Sequence, residues 1–218
     1  MKILVTGATG MAGSEVIRQA IIDESITEII ALVRRPLEIT HPKITVIIHQ
    51  DFLNYDDVRD KFRGCDACIW CLGKSQLQVS KAQLAVITYD YTIAAAKAML
   101  DVNPSIHFVF LSGNGADRKE KSSVPFARLK GKAENALLQS GLKKVSIARP
   151  DAIWPKHKHK NAPFAYKLVF PLFPLIEKFA PSKIIGSVQL AKALIYLAKQ
   201  GEGQNTYENT ELKKLGEV

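Results

Sequence analysis

The chain has 218 residues, 47% of them hydrophobic and 23% charged, enough for one substantial core and too few for two full domains. That balance excludes a disordered or collagen-like chain. Lys and Arg number 30 against 21 Asp and Glu, a formal net charge of +9, which invites an anion-binding or nucleic-acid reading.

Ile3-Leu4-Val5-Thr6 predicts a buried strand close to the start. The first ten residues, MKILVTGATG, lack the longer apolar run and cleavage site of a secretory leader. Thr6-Gly7-Ala8-Thr9-Gly10-Met11-Ala12-Gly13 follows the strand directly, and a helix is predicted from Ser14 to Ile22. Glycines here let the chain turn sharply, let the backbone approach a pyrophosphate, and let the helix pack tightly on the strand. The exposed N–H groups and the helix dipole then hold phosphates. Gly7, Thr9, Gly10, Met11 and Gly13 are therefore cofactor-binding candidates.

A second strand, Glu28 to Val33, runs into Arg34-Arg35-Pro36. An NAD enzyme places Asp or Glu about 20 residues after the glycines for the ribose 2′-hydroxyl. Arg34 and Arg35 stand there instead, and guanidinium groups suit a 2′-phosphate, so NADP(H) is expected over NAD(H). A third strand, Ile44 to Ile48, leads to Asp51-Phe52.

Cys65, Cys68 and Cys71 have a spacing that suggests a metal site. Residues 67–71 also read as a fourth strand, rising about 3.3 Å per residue. Cys65 and Cys71 would then lie roughly 20 Å apart with Cys68 facing the other way, so no metal is expected and the thiols read as buried. Cys71-Leu72-Gly73 ends that strand, where the backbone of such a fold passes its cofactor.

Leu84, Ile87, Tyr91, Ala94 and Ala98 predict one face of a long helix ending before Asn103-Pro104. A strand at Ile106–Leu111, a helix at Phe126–Ser140 closed by Gly141, and a strand at Val145–Ala148 complete six strands. Their nearly continuous apolar runs suit strands covered on both faces. The expected fold is a doubly wound, Rossmann-type parallel α/β sheet.

From Asp151 the character changes, with prolines at 155, 163, 171, 174 and 181. This stretch reads as loops and a broken helix that pack on the sheet and line a cleft outside the carboxyl ends of its strands. Lys156-His157-Lys158-His159-Lys160 reads as a solvated loop. Leu168 to Ala180 is apolar but too short to span a membrane. A last helix is predicted from Val188 to Lys199. The expectation is one dinucleotide-binding domain over residues 1–218, with 151–218 lining the cleft. Cytoplasmic location follows from the missing leader and membrane span. No helix-turn-helix or RNA-binding signature accompanies the positive charge, so nucleic acid is not an expected partner.

TGATGMAG, LVRRP, QDF, CLG at 71–73, LSGNGAD at 111–117, FARLKGKAE around Lys130, Arg149-Pro150 and YENTELKKLG at 207–216 occur in that order. Together they resemble the atypical short-chain dehydrogenase/reductase group that includes the Tat-interacting-protein family and its bacterial NAD(P)-binding relatives. The similarity extends over nearly the whole chain. It implies that Asp51, with Phe52, meets adenine, that Leu72 and Gly73 pass the cofactor, and that Lys130 holds the nicotinamide ribose. The superfamily's reaction also needs a Tyr four residues before that Lys to exchange a proton with the substrate oxygen. Phe126 stands there and has no proton to give. The family's Ser pair is Ser112-Gly113 here, and its helix Asn maps onto Thr88. Lys130 and Ser112 are what remains of a catalytic set. The resemblance therefore implies either an NADPH-dependent reductase with a degenerate site, acting on a small molecule, or a non-catalytic NADPH sensor with a protein partner.

Overall fold

A computed structural model describes residues 1–157 and 179–217. The apolar runs become strands β1 (Lys2–Thr6), β2 (Glu28–Val33), β3 (Ile44–Ile48), β4 (Ala67–Trp70), β5 (His107–Leu111) and β6 (Lys144–Arg149). They pair in parallel with β9 (Gln204–Glu208) in a seven-stranded sheet of order β3-β2-β1-β4-β5-β6-β9. The order turns back between β1 and β4, and a crevice opens outside the carboxyl ends of the strands at such a point. Two short strands, β7 (Ala152–Trp154) and β8 (Ile184–Gly186), pair separately in parallel. This is the Rossmann-type α/β architecture expected, with a seventh strand that was not.

Helices cover both faces of the sheet, which is why its strands carry apolar residues at nearly every position. On one face, α1 (Met11–Ile22) and α5 (Ser187–Gln200) bury Val16, Ile17, Leu190 and Leu194 against Ile3, Val5 and Ile29. On the other, α3 (Tyr91–Val102) and α4 (Pro125–Leu138) bury Ala95, Met99 and Leu137 against Leu4, Trp70 and Phe108. A terminal helix, α6 (Asn209–Leu215), follows β9 and seats Leu212 in the first of these cores.

The long helix before Asn103 departs from its predicted face. A short α2 (Lys81–Ala85), opened by a reciprocal Ser80–Gln83 cap, runs into a π-helical turn at Val86–Asp90 and then into α3. The fully buried line is Leu84, Thr88, Thr92, Ala95 and Met99, while Ile87, Tyr91, Ala94 and Ala98 are only partly covered. The wider π turn offsets the helical register by one position, about 100° of rotation. Thr92 tolerates burial because its hydroxyl donates to the Thr88 carbonyl oxygen at 2.9 Å.

Cys65 and Cys68 are buried and Cys71 is partly so, all as free thiols. Burial pushes the Cys65 thiol up to about 11 and the Cys71 thiol up to about 12. Among the described residues, no group of three or more His, Cys, Asp or Glu could hold a metal ion. Residues 158–160 of the basic run, and 168–178 of the apolar segment, lie outside the described residues.

His107, on β5, is buried with Nε2 2.9 Å from the Ser146 hydroxyl oxygen on β6. Burial lowers its pKa from 6.5 to about 4. Between those values the unfolded chain takes up a proton that the folded chain refuses. Stability is therefore full above pH 6.5 and falls toward pH 4, by about 3 kcal/mol for this group alone. Urea midpoints measured from pH 7 to pH 4 should show this decline, and His107→Gln should flatten it.

Candidate functional site

A cleft of about 830 Å³ lies along the carboxyl ends of β2, β1, β4 and β5. Strands spaced about 4.8 Å apart put β2 and β5 roughly 14 Å from each other, so the cleft is elongated across the sheet. Its middle is the glycine turn. Gly7 has φ +65°, and a Cβ there would stand 2.5 Å from the Cys71 carbonyl oxygen, so the turn closes against the end of β4 only as glycine. The Gly10 N–H donates to the Gly7 carbonyl oxygen at 2.8 Å. Gly10 then caps α1 with no side-chain bond to the first-turn N–H groups, which is the arrangement that accepts an anion. Thr9, Gly10 and Met11 line the cleft beside Gly7. Gly13 does not line it. A Cβ on Gly13 would meet the Gly7 carbonyl oxygen at 2.3 Å, so its part is to let α1 lie against the turn.

Arg34 and Arg35 form the end of the cleft beyond β2. Gln50 anchors that corner by donating from Nε2 to the Arg34 carbonyl oxygen at 2.8 Å. Among the described residues neither arginine has a carboxylate partner, and no Asp or Glu stands on the cleft wall. Phe52 is on the wall, held by ring contacts to His49, Trp70 and Tyr91. Asp51 is exposed beside Phe52, and its carboxylate accepts the Leu53 N–H at 2.9 Å. Leu72 and Gly73 line the floor, as their place after β4 implied.

The far end, beside β5, holds Thr88, Leu111, Ser112, Phe126 and Lys130, with Ile153 and Pro155 from the Pro-rich segment. Lys130 is buried on α4 and donates from Nζ to the Leu111 carbonyl oxygen at 2.7 Å. Its ammonium lies 4.5 Å from the Phe110 ring centre and 5.7 Å from that of Phe126. Burial lowers its pKa to about 8. Ser112 is less available than the motif suggested, because its hydroxyl donates to Glu134 Oε1 at 2.5 Å. Thr88 is buried in the π turn, and its own hydroxyl has no hydrogen-bond partner among the described residues.

Glu134 is the site residue that sequence reasoning did not single out. It is fully buried one helical turn beyond Lys130, between Arg118 at 2.8 Å and Arg149 at 2.5 Å. Arg149 continues to Glu208 at 3.0 Å, and Arg118 donates to the Thr206 hydroxyl at 2.6 Å, so the network ties α4 to β9. Its one sequence signal was the i, i+4 spacing from Lys130. A second buried carboxylate, Glu15 on α1, accepts from Gln19 Nε2 at 2.9 Å and lies 2.8 Å from His157 Nδ1. That contact fastens the start of the basic run to α1.

A family model described as NAD(P)H-binding matches residues 7–162. A relative from Purpureocillium lilacinum, leucinostatins biosynthesis cluster protein T, is 30% identical over 142 residues, 64% of this chain. The chain spans about half of that relative, 52% of its length. Protein FMP52, mitochondrial, of Meyerozyma guilliermondii is 26% identical over 213 residues, covering 91% of this chain and 85% of the relative. Among solved structures, DesIV, a dTDP-glucose 4,6-dehydratase from Streptomyces venezuelae with NAD and TYD bound, superposes with a TM-score of 0.72 at 18% identity. It covers 99% of this chain and 80% of its own, and at that identity it speaks for the fold alone. No helix among the described residues is long and apolar enough to cross a membrane. The expected cytoplasmic location is corrected, since several FMP52 relatives are named as mitochondrial proteins. The resemblance to atypical short-chain dehydrogenases/reductases agrees with both the match over residues 7–162 and the sheet order, and the chain belongs to the NAD(P)H-binding family.

Proposed function

We propose that the chain binds NADP(H) along this cleft and serves as an NADPH-dependent reductase whose usual proton-donating Tyr is missing. The observation that carries the reading is the end of β2, where two arginines meet the cleft with no carboxylate beside them among the described residues. A 2′-phosphate would supply their counter-charge. Gly7, Thr9, Gly10 and Met11 would hold the pyrophosphate, with Gly13 behind them. Phe52 would flank adenine, and Leu72 and Gly73 would pass the middle of the cofactor. Lys130 would meet the nicotinamide ribose. The cofactor supplies a hydride, and the protein's part is to orient it and exclude water. In this reading residues 1–218 act as one domain, with 151–218 closing the cleft.

Fluorescence titration tests the claim. Wild type should bind NADPH more tightly than NADH, and Arg34→Ala with Arg35→Ala should weaken NADPH roughly 10–100-fold while leaving NADH unchanged. An unaltered preference in the double variant would refute the 2′-phosphate assignment. Phe126 also favours a second reading, a cofactor-loaded sensor that engages a protein partner without turnover. Cofactor oxidation in the presence of a hydride acceptor separates the two.

A further inference from the structure

Among the described residues four cations line the cleft: Arg34, Arg35, Lys74 and Lys130. The arginines follow β2, Lys130 stands beside β5, and Lys74 follows β4 between them. Lys74 is the one to which the motifs and the cofactor reading give no task. It is exposed, and among the described residues it makes no hydrogen bond or ion pair. The turn that follows is closed on itself. The Gln78 N–H donates to the Ser75 carbonyl oxygen at 2.9 Å, and the Ser75 N–H donates to Gln78 Oε1 at 3.3 Å. Lys74 stands at the stem of that turn, outside its bonds.

The fold brings this lysine close to the glycine turn. A Cβ on Gly7 would stand 2.5 Å from the Cys71 carbonyl oxygen and 2.9 Å from the Leu72 nitrogen, so the turn after β1 rests on the end of β4. Consecutive Cα atoms are about 3.8 Å apart, which keeps the Lys74 Cα within about 8 Å of the Leu72 Cα. The flexible four-carbon stem of a lysine spans such a gap. The turn itself offers an anion only dipoles. The N-terminus of α1 acts as roughly half a positive charge, and its first residues, Met11, Ala12, Gly13 and Ser14, carry none of their own. A diphosphate is a full anion, and dipoles of that size balance only part of it.

Resting on the dinucleotide-binding reading above, we propose that Lys74 holds the cofactor's diphosphate from the β4 side, as an ammonium facing the N–H groups of the turn after β1. Its task differs in kind from that of the arginines. Arg34 and Arg35 meet the 2′-phosphate and so tell NADPH from NADH. Lys74 meets a group that both cofactors carry, so it adds affinity and no preference. Exposure sets the size of its effect, because water and salt screen an ammonium at the rim more than one inside.

Calorimetric titrations with three ligands test the assignment: NADPH, NADH and adenosine 2′-monophosphate, which carries the 2′-phosphate and no diphosphate. The proteins are wild type, Lys74→Met, Lys74→Arg, and the double variant Arg34→Ala with Arg35→Ala. Lys74→Met should weaken NADPH and NADH alike, roughly 5–10-fold, the effect of one exposed charge-assisted hydrogen bond, and leave adenosine 2′-monophosphate unchanged. The double variant should do the opposite, weakening NADPH and adenosine 2′-monophosphate and sparing NADH. Lys74→Arg should keep most of the affinity for both dinucleotides. Raising the salt should cost wild type more NADH affinity than it costs Lys74→Met. Thermal unfolding without ligand should be the same in Lys74→Met as in wild type, since the side chain is exposed and unbonded. Full NADH affinity in Lys74→Met would overturn the proposal and leave the cofactor reading intact. An equal loss of adenosine 2′-monophosphate would overturn it too, because the lysine would then act on the whole cleft and not on the diphosphate. A wild type that binds neither dinucleotide would remove the cofactor reading and this proposal together.

Discussion

Phe126→Tyr is expected to raise NADPH-dependent reduction of a simple aldehyde roughly 10²–10⁴-fold above the wild-type rate. The substitution adds one phenol oxygen at the cleft wall, four residues before Lys130. It recreates the spacing at which a phenol can protonate a substrate oxygen while a neighbouring ammonium eases release of the proton. The ammonium already lies 5.7 Å from the centre of the Phe126 ring. A nearby cation favours phenolate, so the new activity should lose its acid form, and its rate, below the usual phenol value near pH 10. The ring rests against Gly113, where a Cβ would come within 3.3 Å of Phe126 Cε1. The glycine thus accommodates the ring in its present position. Aldehyde-dependent NADPH oxidation across pH 6 to 10 measures the gain. A variant no faster with aldehydes than wild type would show that the missing phenol is not what separates this site from a carbonyl reductase.

Glu134→Ala should destabilise the fold by about 3–5 kcal/mol, because it leaves the partly buried Arg118 and Arg149 guanidiniums without their shared carboxylate. At roughly 2–4 °C per kcal/mol for a chain of this size, Tm should fall by roughly 10 °C. Glu134→Gln keeps the shape and some hydrogen bonds while removing the charge, and should fall between the two. Thermal unfolding of the three proteins at one pH checks the order. The loss should not be confined to α4. Arg149 joins Glu134 to Glu208, and Arg118 joins it to Thr206, so hydrogen exchange should accelerate in β9 as well. A drop of under 1 kcal/mol in Glu134→Ala would mean that the network contributes little to the fold.

What could be read from residues alone was what is local. The glycine turn is a run of eight residues between a strand and a helix, and its function depends on backbone shape, so its chemistry is written where it acts. The place of Arg34 and Arg35 at the end of the cleft is local in the same way, since they follow β2 directly. β9 was not legible. Gln204-Asn205-Thr206-Tyr207-Glu208 is polar and short, and it is a strand because β6 offers it an open edge. Asp51 and Ser112 were placed by motif, and motifs do not say which neighbour claims a side chain. Leu53 N–H claims the first and Glu134 the second. Glu134 had no signal in the sequence beyond its spacing from Lys130. Only the fold brings Arg118 from one loop and Arg149 from β6 onto its two oxygens.

The π turn at Val86–Asp90 makes the cleft depend on a count of residues as well as on their identity. Loss of one residue anywhere between Lys81 and Asp90 could be absorbed as an uninterrupted α-helix, with every backbone bond retained. The helix would then swing its upstream half by about 100° relative to α3. Thr88 would leave the wall, or Thr92 would leave the core, although no side chain had changed in kind. Descendants of this gene that differ by a single codon's length here would inherit the same sheet and the same glycine turn. They would carry a different chemical lining where Thr88 now meets the cleft.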